Sequence, residues 1–281
     1  MNPNATNLPV RILNDGNAIP AVGLGTFGMR GDDGIAAVAA GIGAGNRLLD
    51  TAHKYENERE VGEGVRASGV PRDELFVTTK LRGRHHGYDQ TFVGFGESLA
   101  SLGLDYVDLY LIHWPLPGVD RYVDSWHAMI ELRNQGLIRS IGVSNFTAGH
   151  LKRLIGESGV TPAVNQIEVH PHFPQPAMRA LHDRLGILTE SWGPLATQRS
   201  LITDPVITAI AGAHRVSPTR AALRWHVQLG SVPIPKSGNP ERQRENLEVF
   251  DFELADDEMA AISSLQSGRL WDGDPETHQE F

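Results

Sequence analysis

VDLYLIHWPLPGVDRYVDSWHAMIELRNQGLIRSIGVS, residues 107–144, reads as one complete strand–helix–strand unit. Val107 to Ile112 is a short aliphatic and aromatic run of the kind that forms a buried strand. From Asp120 to Gln135 the apolar residues Val123, Trp126, Met129 and Ile130 recur at three- and four-residue spacing, which predicts a helix. Gly136 then serves as its C-terminal cap, and Leu137 to Val143 begins the next strand.

The same alternation extends in both directions. Further strand runs are AVGLG at 21–25, RLLDT at 47–51, LFVTT at 75–79, AVNQ at 163–166, ILTES at 187–191 and VPI at 232–234, and with VDLYLI and SIGVS they make eight. Strands alternating with helices predict parallel βα units. Eight of them in this length predict a (β/α)8 TIM barrel, an α/β fold, with residues 1–281 as one domain. VRIL and NAIP flank Asn14-Asp15-Gly16 and predict an N-terminal β-hairpin, because Asp-Gly suits a tight turn. Asp204-Pro205 and Ser217-Pro218 each place a capping side chain before a proline, so two helices precede the last strand and one is an extra helix near the C-terminus. The tail from Gly268 to Phe281 has little periodicity and is expected to lie over the surface.

Composition narrows the function. The 281 residues are 40% hydrophobic and 21% charged, ordinary for a globular chain. No apolar run is long enough to span a membrane and the start lacks a secretory pattern, so the expected address is cytoplasmic. A net charge of −9 disfavours nucleic acid and anionic membranes as partners. The absence of cysteine removes disulfides and thiolate chemistry. Gly23-Leu24-Gly25-Thr26-Phe27-Gly28 fits a dinucleotide fingerprint, with Asp50 at a suitable distance. Its context fails, because Met29 to Gly34 reads as loop where that motif must open a helix.

In a barrel the carboxyl ends of the strands share one face. Asp50 ends the second run, Tyr55 lies five residues on, Lys80 follows the third run and His113 the fourth. Charged groups at the ends of apolar strands are hard to explain as packing. The segments that carry them, LLDTAHKYENE at 48–58, FVTTKL at 76–81 and DLYLIHWP at 108–115, resemble the catalytic segments of the aldo-keto reductase family. GLIRSIGVSNF at 136–146 and PAVNQIEVHP at 162–171 are similar to its nicotinamide-binding segments, and IPKSGNPERQRENLEVFDFEL at 234–254 to its adenosine-phosphate segment. The likeness runs in order over roughly residues 18–265 and extends to bacterial diketogluconate reductases.

The resemblance implies an NADPH-dependent oxidoreductase that reduces aldehydes or ketones to alcohols, with Asp50, Tyr55, Lys80 and His113 as the catalytic group. The chemistry agrees with it. Hydride transfer to a carbonyl creates negative charge on oxygen, which needs a proton donor or a cation beside it. Tyr55 would donate, the Lys80 ammonium would lower its pKa, Asp50 would hold Lys80 charged and His113 would orient the substrate oxygen.

For the cofactor the resemblance implies Gly25, Thr26, Asp50, Ser144, Asn145, Gln166, Trp192, Gly193 and Leu195. It implies Lys236, Ser237 and Arg242 at the 2′-phosphate, and Glu245 and Asn246 at the adenine. Trp192 would stack on the nicotinamide, and Gly193 stands where relatives often carry serine. Phe27, Tyr55, His113 and Trp114, with the C-terminal tail, are expected at a small-molecule carbonyl substrate, although Phe27, Trp114 and the tail could equally be packing, and Arg82 is a partner for an anionic substrate such as a keto acid or keto sugar acid. The short segment from Gly193 to Asp204 predicts an open, fast-releasing site, and a monomer is expected. His170 and His172 could suggest metal, but with no cysteine or supporting carboxylate motif no metal is expected. A metal-dependent barrel hydrolase and a cofactor-binding regulatory subunit are the competing readings.

Overall fold

A computed structural model of the chain describes residues 8–196, 201–271 and 273–280. In chain order the strands are β1 (Val10–Ile12), β2 (Ala18–Pro20), β3 (Leu24–Gly25), β4 (Leu48–Asp50), β5 (Phe76–Leu81), β6 (Val107–Ile112), β7 (Ile138–Ser144), β8 (Val164–Glu168), β9 (Leu188–Trp192) and β10 (Val232–Pro233). The helices are α1 (Gly31–Gly43), α2 (Glu58–Ser68), α3 (Tyr88–Leu102), α4 (Tyr122–Asn134), α5 (Ala148–Ser158), α6 (Pro176–Leu185), α7 (Pro205–His214), α8 (Pro218–Gln228), α9 (Pro240–Glu245) and α10 (Asp256–Ser263).

β3 to β10 form one parallel sheet in sequence order. The Gly23 amide donates to the Pro233 carbonyl at 3.0 Å and the Gly25 amide to that of Pro235 at 3.1 Å, and Gly25 bridges Lys236, so the two edges meet and the barrel closes. A closed barrel has no edge strand to protect. β1 and β2 pair antiparallel around Gly16, whose φ is +87°. This hairpin sets Leu13 and Ile19 against Leu48, Leu109, Val164 and Val232, and so seals the barrel opposite the strands' carboxyl ends.

The helices form for the reasons their sequences give. α4 buries Val123, Trp126 and Met129. The Asp204 carboxylate accepts from the amides of Val206 and Ile207, and the Ser217 hydroxyl from that of Arg220, with a proline opening each helix. Asp108 is fully buried inside β6, where Arg72 reaches it at 2.7 Å and Arg139 at 3.1 Å, so its role is structural.

Three expectations need correction. α1 begins at Gly31, four residues before the first apolar position, because Asp32 and Asp33 in its first turn favour the positive end of the helix dipole. β5 runs two residues beyond its expected end, which puts Lys80 inside the strand. The tail does not merely lie over the surface: Glu280 is 4% exposed and Trp271 lines the cavity at the barrel mouth.

Candidate active site

The strand ends open into a cavity of about 460 Å³. Asp50 is the last residue of β4, and a single 3-10 turn over His53–Tyr55 brings the tyrosine back over the mouth. Lys80 is wholly buried, and its Nζ donates to Asp50 Oδ1 at 2.6 Å and to the Thr51 carbonyl at 2.9 Å. It lies 5.1 Å from the centre of the Tyr55 ring. His113, the first residue past β6, packs edge-on to Tyr55 with centroids 5.8 Å apart. Tyr55, Asp50 and His113 line the cavity, and Lys80 sits behind them.

Burial disfavours charge on Lys80, but Asp50, then Tyr55, outweigh it, so the net shift of the lysine is upward and the ammonium persists. Tyr55 departs from expectation. Burial raises its pKa more than the Lys80 charge lowers it, and the net shift is upward. Part of the ring stays open to the cavity, yet the hydroxyl lies where Lys80 can hydrogen-bond it. Tyr55 therefore keeps its proton at neutral pH, which an acid must do before it can donate.

Gly25, Thr26, Ser144, Asn145 and Gln166 line the cavity, as do Trp192, Gly193, Leu195 and Lys236. Gln166 donates from its amide nitrogen to Asp50 Oδ2 at 2.8 Å and to Glu190 at 2.5 Å, which leaves its carbonyl oxygen as the acceptor for a carboxamide. Trp192 is the last residue of β9, and its indole N–H donates to Asn145 Oδ1 at 2.8 Å, which fixes the ring's tilt. These donors, acceptors and the flat indole fit a nicotinamide. Gly193 has φ +60°, and a Cβ there would come within 2.8 Å of the Trp271 ring. The indole of the tail thus occupies the space a serine side chain would need.

Ser237, Arg242, Glu245 and Asn246 follow β10 outside that lining, Arg242 exposed on α9 and Asn246 buried. Phe27 and Trp114 line the cavity, Phe27 edge-on to Tyr55 at 5.1 Å. Arg82 is not brought into the lining; it turns instead toward Glu56, 3.6 Å away. Residues 197–200 of the segment expected to leave the site open lie outside the described residues. His170 is taken up by Glu168 at 3.0 Å. His53, His85 and Glu97 cluster elsewhere, around the Arg84 guanidinium.

Sequence reasoning missed three residues. Glu190 sits inside a buried strand, where burial, and then Asp50, raise its pKa to about 8, so it is protonated at neutral pH and helps hold Gln166. A lone acid within ILTES was the available signal. Trp271 and Glu280 reach the site through the tail, which the sequence assigns to the pocket only as a whole; no local pattern singles out either residue.

A parallel barrel with a buried lysine–carboxylate pair under a tyrosine, beside a nicotinamide-shaped cleft, defines a class: carbonyl oxidoreductases built on a (β/α)8 scaffold. The model of the Aldo/keto reductase family matches residues 21–267, and the chain belongs to that family. It is 58% identical to 2,5-diketo-D-gluconic acid reductase B of Corynebacterium sp. (strain SHS752001), over 98% of this chain and 99% of that protein. Among solved structures, an NADPH complex of Gox0644 superposes with a TM-score of 0.92 at 42% identity, over 97% of this chain and 99% of that one. An aldo-keto reductase from Bombyx mori in complex with NADP gives 0.88 at 40% identity, over 94% and 95%. The chain is accordingly an NADP(H)-dependent oxidoreductase acting on carbonyl groups.

Proposed function

We propose that at this cavity Tyr55 acts as the general acid in the NADPH-dependent reduction of aldehydes or ketones, keto acids and keto sugars among them. The observation that carries the reading is the 2.6 Å contact between Lys80 and Asp50 beneath Tyr55. NADPH, when bound, supplies the hydride that reaches the carbonyl carbon. As charge grows on the carbonyl oxygen, the Tyr55 O–H transfers its proton to that oxygen and the product leaves as an alcohol. The Lys80 ammonium stabilises the phenolate left behind, and Asp50 keeps the ammonium charged. His113 orients the substrate oxygen. Ser144, Asn145 and Gln166 hold the carboxamide while Trp192 supports the ring face. Lys236, Ser237 and Arg242 take the 2′-phosphate, and Glu245 and Asn246 the adenine.

Polar keto acids and keto sugar acids are the favoured substrates, a reading supported by the relative named for 2,5-diketo-D-gluconic acid reduction. Arg82 would assist an anionic substrate only after leaving Glu56. We read the chain as a monomer of the cytoplasm; among the described residues no helix is long and apolar enough to cross a membrane. NADPH oxidation by the purified chain, followed with keto acids, keto sugars and uncharged aldehydes, tests the function. We expect one alcohol formed per NADPH consumed and the highest kcat/KM among the anionic ketones. Failure with every carbonyl compound would overturn the reading.

A further inference from the structure

His113 has two ring nitrogens and only one of them can serve the cavity. Nδ1 is buried and lies 2.7 Å from Glu280 Oε1, close enough for an ion pair though not aligned as an ideal hydrogen bond. The other oxygen of Glu280 accepts from the Gly83 amide at 3.2 Å. The Glu280 backbone carbonyl is packed so closely that a Cβ at residue 83 would sit 1.8 Å from it. The tail is seated on His113's chain neighbour as well. His278 stacks on Trp114 with centroids 4.0 Å apart, and a Cβ at Gly273 would meet the same indole at 2.5 Å.

A buried carboxylate is costly unless it is paired. Burial pushes the Glu280 pKa up, but His113, the Gly83 amide and Lys54 outweigh it, and the net shift is below the ordinary carboxylate range. The other groups facing the pair are His86, His278 and Lys54, together with Tyr55 on the cavity side. Burial pushes His86 down to about 4 and lowers His278, so both are neutral at pH 7.

We propose that Glu280 is a positioning residue for His113: it holds the ring by Nδ1, keeps a proton on that nitrogen and leaves Nε2 to address the substrate's carbonyl oxygen. This rests on the reading above that His113 orients that oxygen. A neutral imidazole carries one N–H, and the partner of the other nitrogen decides which. Donation from Nε2 then calls for a second proton on the ring, and the Glu280 carboxylate is the counter-charge such a ring needs. Because the carboxylate comes from the tail, the tail must be seated for turnover.

Three variants of the full chain test this. Glu280→Gln keeps the size and an acceptor but removes the charge, Glu280→Asp keeps the charge on a shorter arm, and Glu280→Ala removes both. Nitrogen-15 spectra of the imidazoles, with His113 assigned from His113→Gln, report which nitrogen is protonated whether or not the protein turns over. We expect protonated Nδ1 in wild type with and without NADPH, and loss of the Nδ1 proton in Glu280→Ala. In steady state we expect kcat to fall about 100-fold in Glu280→Ala, the scale of a misplaced catalytic group. The NADPH KM should hold, the pH profile of kcat should change in Glu280→Gln, and Glu280→Asp should recover part of the rate. Unchanged Nδ1 protonation in Glu280→Ala, or pH profiles of Glu280→Gln and wild type that overlay, would overturn the proposal. Should wild type show the Glu280-dependent ring signature yet reduce no carbonyl compound, the failure would lie with the proposed function instead.

Discussion

Arg242 sits on the exposed first turn of α9, whose cap is the Asn239 side chain accepting from the Arg242 amide at 3.0 Å. NADPH differs from NADH only by the 2′-phosphate. With a net charge of −9, long-range electrostatics oppose that phosphate, so selectivity must come from short-range donors. A guanidinium can bond two phosphate oxygens at once. A charge-assisted hydrogen bond contributes roughly 1.5–3 kcal/mol, or about 10- to 150-fold in affinity. Titration of both cofactors into Arg242→Ala should show NADPH weakened at least about tenfold and NADH little changed. Equal losses would assign Arg242 to the fold or to the shared diphosphate. At this scale Asp50, Lys80 and His113 were legible as candidates because a charged or polar group at or near the end of an apolar strand has few structural explanations. Arg82 was less legible: sequence gives its place just past β5 but not that Glu56 stands beside it.

The helices α7 and α8 were legible from their caps alone, since Asp-Pro and Ser-Pro each state where a helix begins. The Asp204 carboxylate accepts two amide hydrogens at 2.9 and 3.3 Å that would otherwise lack partners. Asp204→Ala should cost about 1 kcal/mol, seen as a lower urea midpoint with an unchanged slope. No change in midpoint would mean that water replaces the cap without loss. Element ends were less legible than elements. The β5 boundary moved by two residues because pairing with β6 carries it on, Lys80 opposite Leu111 and Leu81 opposite Ile112. The tail was least legible of all, because its order comes from Trp114, Gly83 and His113, distant in sequence, and not from periodicity of its own.

The balance of buried titratable groups belongs to the whole molecule. Burial pushes His226 down to about 3, and His182 and His86 down to about 4, from 6.5. Below pH 6.5 the unfolded chain binds protons that these folded rings refuse, so stability falls as pH drops toward 4. Each histidine contributes on the order of 3 kcal/mol over that range. Glu190 acts the other way: folded, it keeps a proton up to about pH 8 that the unfolded chain releases above 4.5, so stability falls as pH rises between those values. From 4.5 to 6.5 three histidines oppose one acid, and above 6.5 the acid alone remains of the four. Thermal unfolding across pH should give a maximum Tm near 6.5, with the steeper fall on the acid side. A Tm that stays level from about pH 7 to 5 would show that these rings are not buried neutral.

The central claim is that a proton held by Tyr55 at this barrel mouth completes carbonyl reduction by NADPH. Single-turnover NADPH oxidation by Tyr55→Phe, measured beside NADPH binding to the same variant, tests it most directly. Phenylalanine removes the hydroxyl and leaves the residues assigned to the cofactor in place. Loss of general acid catalysis should slow turnover about 10²- to 10⁴-fold while NADPH binds as in wild type. A variant that binds NADPH normally and still oxidises it at more than about a tenth of the wild-type rate would contradict the account.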